Sequence, residues 1–407
     1  MTAPAPSRRA SRADEREVPR VAKEGGLWRI RSLAVARQVL RARRETTQAG
    51  FTAEWIPQGW LRHHPILISD GPLHDEQRTR VARFLAPAVV ADRYLSLMER
   101  RADALLDGRG REVFALDDLA LLYAVEVTGH VVGLTESPVP ALARRLVSFF
   151  RQPPFDLALP RLGRTPRQWA LAAANGVVPL VRFHLADVRP AIRRRRRRPA
   201  GDIVSHLIAE GYTDADILVE CLTYGTAGMV TTREFITMAA WHLLADDALA
   251  DRYRAAERTE RLAILNEILR LEPVVGHLYR RATAPFTLTE GDRTWAVAAG
   301  DLLDVAVRQA NADPEAVGAD ALTLCPGRRL PAGVNEAVLS FGDGAHRCPG
   351  QPLAVLEADV LLTRLLARDP VLLDEPMLGW DDLIAGYTLR GLRLRLEASA
   401  TIARRRP

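Results

Sequence analysis

Three cysteines in 407 residues, with no paired spacing, are too few for a disulfide framework and point to a reducing compartment. No run of about 18 apolar residues occurs, so no membrane-spanning anchor is expected. The first twenty residues are rich in Ala, Pro, Ser and Arg but lack the apolar core of a secretory signal. They are expected to form a disordered arm over 1–20. The expected setting is cytoplasmic, with no membrane partner. The chain is basic, 56 Lys+Arg against 50 Asp+Glu, and six of the arginines are consecutive, Arg193 to Arg198. No aromatic interleaving or binding-module signature accompanies that run, so it reads as a helix end and a solvated loop, and no nucleic-acid partner is expected. What the chain does have is 48% hydrophobic residues, enough to bury a large core. One catalytic domain over 21–407 is expected, and a monomer.

One cysteine sits in a dense turn grammar: Phe341-Gly342-Asp343-Gly344-Ala345-His346-Arg347-Cys348-Pro349-Gly350. Gly342 and Gly344 admit backbone conformations closed to other residues and let the chain approach a flat ligand. Pro349 suits the first turn of a helix, and Leu353, Leu356, Val360 and Leu361 keep a helical period beyond it. Cys348 is therefore expected at a helix N-terminus, where the dipole and free amides favour a thiolate. An anionic sulfur in a loop shaped for a planar partner is what an axial haem ligand requires. The alternative is a free buried cysteine in a glycine-rich turn. Cys221 reads as a core thiol and Cys325 as a loop thiol.

Three further groupings carry chemistry. Asp70-Gly71-Pro72 opens a helix in which His74 and Arg78 share one face, a pair of donors suited to a carboxylate such as a haem propionate. A helix of thirty-odd residues begins at Thr213-Asp214-Ala215-Asp216 and runs to about Asp246, on the order of 50 Å long. Its centre, Tyr224-Gly225-Thr226-Ala227-Gly228-Met229-Val230-Thr231-Thr232, holds two glycines that each cost roughly 1 kcal/mol in a helix. Close approach of a cofactor and a local opening of the helix would explain them. Thr231 can bond back to the Ala227 carbonyl or turn into that groove. Glu267 and Arg270 share a helix face and can bond to each other and to a third charged group.

Phe-x-x-Gly-x-x-x-Cys-x-Gly, with Ala354 and Glu357 in the following helix, resembles the haem-binding loop of the cytochrome P450 family, bacterial soluble type. The resemblance covers nearly the whole chain from Trp28 onward. It implies a mainly α fold with small β-sheets, and a long helix over the haem. It implies haem b (iron protoporphyrin IX) on Cys348, with Phe341, Gly342, His346, Gly350 and Ala354 around it and His74, Arg78 and Arg281 on the propionates. Ala227, Gly228, Thr231 and Thr232 would form the oxygen-activating helix. Glu267 and Arg270 would be joined by Arg328 or Arg329, with Arg329 preferred. Val274, Val275, His277 and Tyr279 would line the substrate side, although His277 reads more readily as a satisfied structural histidine. Residues 46–69, with Phe51, Trp55, Pro57 and Trp60, would cover the pocket or be pinned to the core.

The implied activity is monooxygenation of a small, specialised organic metabolite. Electrons would come from NAD(P)H through a ferredoxin or similar donor on the basic face around Arg347, Arg80 and Arg83. One position departs from the family pattern. The residue before the catalytic threonine is usually acidic and here is Val230, with Glu234 a substitute only if it faces inward. That departure keeps open a non-hydroxylating oxidation: coupling, ring formation or peroxide-driven chemistry.

Overall fold

The computed structural model describes residues 7–12, 19–50, 61–157 and 159–397. Two hydrophobic cores hold them together, a large helical one and a smaller one built on a sheet.

The small core begins with the strand Leu27–Ile30 and the helix Leu33–Arg41, the helix capped by the Ser32 hydroxyl. A strand at Val21–Glu24 pairs antiparallel with Leu27–Ile30 and forms the edge of the sheet. The five-stranded sheet runs Val21–Glu24, Leu27–Ile30, Leu302–Ala306, His277–Ala282, Thr46–Ala49; only the second and third strands are parallel. Residues 7–12 are not a free arm. Ala10 is fully buried, its N–H donates to Glu272, Arg8 donates to the Leu271 carbonyl at 2.8 Å, and the Arg9 guanidinium lies over Trp241.

The large core is threaded by the central helix Asp214–Leu244, whose Thr213 and Asp216 form a reciprocal capping box. It stays α-helical throughout, without the opening its glycines suggested. The physical reason is packing against neighbouring helices. A Cβ on Gly225 would stand 3.1 Å from Leu146, in the helix Val139–Ser148. One on Gly228 would stand 3.0 Å from the Thr128 side chain, in the helix Leu116–Val132. The glycines let these helices approach closely.

A polar knot ties the helix Arg258–Leu271 to the segment leading to the cysteine. Arg270 is fully buried and holds Glu267 through two bonds of 2.7 and 2.8 Å, while its other nitrogen donates to the Asn311 and Ala321 carbonyls. Asn311 in turn accepts from Leu339 N–H and donates to Ser340, just before Phe341. The third charged group is Arg328, 3.2 Å from Glu267, and not Arg329, which is exposed and makes no ion pair among the described residues. The adjacent carbonyls of Val317 and Thr323 draw Arg328 inward.

Truncating one partner of a buried ion pair strands the other charge. Arg270→Ala should therefore lose about 3–5 kcal/mol in urea unfolding followed by far-ultraviolet circular dichroism. Arg329→Ala should stay within about 0.5 kcal/mol of wild type.

Candidate active site

The cysteine loop is shaped by contacts its sequence only hinted at. Gly342 and Gly344 both take positive φ, 72° and 69°. A Cβ on Gly344 would stand 2.3 Å from the Leu40 carbonyl oxygen, so nothing larger fits against the helix Leu33–Arg41. Arg37 and Arg41 of that helix grip Asp343 at 2.9 and 3.0 Å, and Cys348 N–H donates to the Phe341 carbonyl at 2.7 Å. The following helix starts at Gln351, with Gly350 as its cap and Pro352 in its first turn. Pro349 thus precedes the helix, and Cys348 lies two residues ahead of the cap. Burial pushes the Cys348 thiol up; the Gly350 and Gln351 N–H groups and Arg78 oppose that shift.

Cys348 opens into a cavity of about 280 Å³ with almost wholly apolar walls. Phe341, Gly342, His346, Gly350 and Ala354 line it on the cysteine side, as the sequence predicts. His74 and Arg78 line it from the helix Gly71–Leu85. His74 is buried and stacks on His346 at 4.1 Å; burial first, then the nearby His346 and Arg78, lower its pKa to about 4. It is therefore a neutral donor at neutral pH. His346 pairs with Asp70 at 2.9 Å. Asp70 caps no helix amide, accepting instead from Gln48 N–H and the Thr47 hydroxyl.

The strand His277–Ala282 corrects the expectations for Tyr279 and Arg281 and gives His277 its structural reading. Side chains alternate across a strand, and Leu278 and Arg280 are the ones that reach the cavity. His277, Tyr279 and Arg281 face the other way. His277 is satisfied by Asp304 at 2.6 Å, and Arg281 donates to the Gly300 carbonyl at 3.1 Å. Val274 and Val275, before the strand, do line the cavity. Arg280 is buried, and desolvation pushes its pKa down to about 10. Among the described residues its side chain makes one hydrogen bond, to its neighbour's carbonyl, Tyr279. Beside it across the sheet is Gln48, whose buried amide oxygen has no partner.

On the opposite wall, Ala227, Gly228, Thr231 and Thr232 of the central helix face the cavity. The Thr231 hydroxyl donates to the Ala227 carbonyl at 2.5 Å. Val230 is buried but does not line the cavity. Glu234 does not substitute for an acid there: it is fully buried, held by Arg233 and Arg390 and by Leu389 N–H. Thr128 is among the lining residues without a signal in the sequence, whereas Ile66 and Leu67 fall in the 46–69 segment expected over the pocket. Thr128, its hydroxyl buried and unpartnered, lies in an otherwise apolar helix. Ile66 and Leu67 belong to residues 61–69, which dock on the central helix through Asp216 and Glu220. Burial raises the Glu220 pKa to about 8. Phe51, Trp55, Pro57 and Trp60 lie outside the described residues.

The donor set can be tested against haem. Arg78 and Arg280 reach one apolar cavity without a carboxylate partner among the described residues, beside a neutral imidazole donor and opposite one cysteine. A buried guanidinium such as Arg280, with a half-buried one such as Arg78 beside it, calls for an anion. A flat, apolar macrocycle carrying two carboxylates and an iron open to sulfur fits all four groups. Fold and site thus define a haem-thiolate oxidoreductase.

Known proteins agree. Residues 262–375 match the profile of the family described as Cytochrome P450. Cytochrome P450 130 of Mycobacterium tuberculosis is 29% identical over 332 residues, 75% of this chain and 71% of that one. Mycinamicin VIII C21 methyl hydroxylase of Micromonospora griseorubida is 27% identical, covering 75% and 73%. Among solved structures, ligand-free CYP164A2 of Mycobacterium smegmatis superposes with a TM-score of 0.74 at 26% identity, over 91% of both chains. A mutant of P450 EryK in complex with erythromycin B gives 0.76 at 20% identity, over 95% of both chains. The chain carries the cytochrome P450 profile over residues 262–375, is similar to P450s over three quarters of its length, and is an oxidoreductase of the monooxygenase class.

The one-residue register of the strand yields a direct test. Losing a charge-assisted bond to a propionate costs about 1.5 kcal/mol or more, equivalent to roughly tenfold. Arg280→Leu should raise the rate of haem transfer to a scavenging apoprotein about tenfold, whereas Arg281→Leu should leave it near wild type.

Proposed function

We propose that this chain oxidises a largely apolar, specialised organic metabolite, using dioxygen and electrons passed from NAD(P)H by a ferredoxin-type donor to haem b. The observation that carries this reading is the cavity itself. Cys348 opens into one side, the Thr231 hydroxyl faces the other, and the walls between include Ile66, Val131, Phe235 and Val274. Those walls favour an apolar substrate, since a polar one would lose its hydration without replacement bonds. Two similar proteins support the metabolite class by their own descriptions: the mycinamicin hydroxylase, and HmtN, a post-tailoring hydroxylase of himastatin biosynthesis (TM-score 0.73, 22% identity, 94% and 95% covered).

When bound, haem with a thiolate ligand supplies the reductive activation of dioxygen, the sulfur pushing electron density onto the iron. The chain's own residues do the rest. Arg78, Arg280 and His74 would hold the propionates and fix the macrocycle's orientation. The N–H groups of Gly350 and Gln351 would stabilise the sulfur's charge. Val274, Val275 and Leu278 exclude water and position substrate. Thr231 holds a proton at its Oγ1, exchanging its bond to the Ala227 carbonyl for one directed into the cavity. Arg347, exposed beside the loop, offers a cation to an acidic donor. Arg80 is already committed to Glu76 and Glu210.

A second reading rests on Val230 and Glu234. With valine turned away and the glutamate locked among Arg233 and Arg390, the central helix presents hydroxyls but no carboxylate to the cavity. Proton-poor delivery favours an oxidation that ends in coupling or ring closure.

The two readings part in one variant. Thr231→Ala should lower product formed per NADPH about tenfold or more under the hydroxylase reading, the order of one proton donor's contribution. Unchanged coupling of electrons to product would remove Thr231 from proton delivery and favour the second reading.

A further inference from the structure

A long exposed apolar surface lies away from the cavity, on the helix that runs from Pro166 to Arg197 through a π-helical turn at His184–Val188. Leu171, Ala174, Val178, Val181 and Leu185 recur at alternating spacings of three and four, one continuous stripe. All five are exposed, the four larger ones at 47–53%. In the most apolar window of this helix, mean hydropathy 1.2, only 11% of the residues are buried. The opposite side is the one that packs on the fold, through Ala172, Phe183, Ala191 and Ile192. A helix anchored along its length by one face cannot cross a bilayer, but it can lie on one.

Its charges point to what the stripe meets. From Pro166 to Arg197 the chain carries eight arginines and a single carboxylate, Asp187. Asp187 is buried against Arg145 at 2.5 Å. Arg167, Arg182 and Arg189 stand three or four residues from Leu171, Val178 or Leu185, so they flank the stripe on the same face. All three are exposed, and none makes an ion pair or side-chain hydrogen bond among the described residues. A second copy of this helix would bring like charges together along the whole contact. A single convex ridge also offers a protein partner no groove, whereas a fluid surface needs none.

We propose that the outward face of this helix binds an anionic lipid bilayer, with the five apolar side chains entering the headgroup–acyl boundary. Arg167, Arg182 and Arg189 meet the lipid phosphates, and Arg193 and Arg197, without an ion pair among the described residues, extend the basic surface. The helix lies in the plane of the interface with its inner face still packed. This departs from the expectation, drawn from the absence of a long apolar run, that no membrane takes part. A one-sided stripe escapes a test built on consecutive residues.

The test uses the full-length, haem-loaded protein and sedimentation with vesicles of phosphatidylcholine alone or mixed with phosphatidylglycerol. Binding to the anionic vesicles should exceed binding to the neutral ones about tenfold or more and fall with added salt. Val178→Asp/Val181→Asp should weaken it by a similar factor with haem content and circular dichroism unchanged, since both side chains are exposed. Arg182→Gln/Arg189→Gln should weaken binding to anionic vesicles while leaving the weak binding to neutral ones. Equal sedimentation with both vesicle types, or wild-type binding by the aspartate pair, would overturn the proposal. So would a dimer on gel filtration that the aspartate pair dissociates, because the stripe would then be a self-interface.

Discussion

Two guanidinium groups, a thiol and a neutral imidazole face one apolar cavity, and burying them there without an anion is unfavourable. That constraint accounts for much of the surrounding structure. Arg280 is held by a single carbonyl and its pKa is pushed down to about 10. Arg78 is depressed too, by desolvation above all. His74 gives up its proton at neutral pH. These groups would each be better placed in water; a dianionic ligand that also takes the sulfur would account for their place inside.

The rest of the molecule fixes those groups in place from several directions. Arg37 and Arg41 hold the cysteine loop through Asp343, and Asp70 holds it from the other side through His346. The buried Glu267–Arg270–Arg328 knot, with Asn311 and Ser340, sets the backbone just before Phe341. On the far wall, Gly225 and Gly228 let the central helix sit against its neighbours, so the helix stays regular and still presents Thr231. Rigidity here serves chemistry: a ligand sphere and a proton donor must keep their separation while substrate changes between them.

What the sequence made legible was local. The cysteine loop could be read because glycines, a cysteine and fixed spacing are turn chemistry carried by neighbours. The capping box at Thr213 and the face shared by His74 and Arg78 have the same short-range origin. What it hid was partnership across space. Alternation shows that Arg280 and Arg281 point opposite ways, but only the sheet's neighbours decide which one faces the cavity. Arg328 and Arg329 pose the same problem, resolved by the Val317 and Thr323 carbonyls. The helix glycines suggested an opening because one strand of sequence cannot show Leu146 and Thr128 pressing from the side. The docked residues 7–12 depend on Glu272 and Arg308, some 260 to 300 positions away.

The central claim is that Cys348 is the thiolate ligand of a haem held in this cavity. It is tested most directly by the carbon monoxide difference spectrum of the reduced, haem-loaded protein, wild type beside Cys348→Ser. The account predicts a strongly red-shifted Soret band in the wild type and its loss in the serine variant, with haem still bound through the propionate cations. Haem-replete wild-type protein without that band, or a serine variant that keeps it, would contradict the assignment of Cys348.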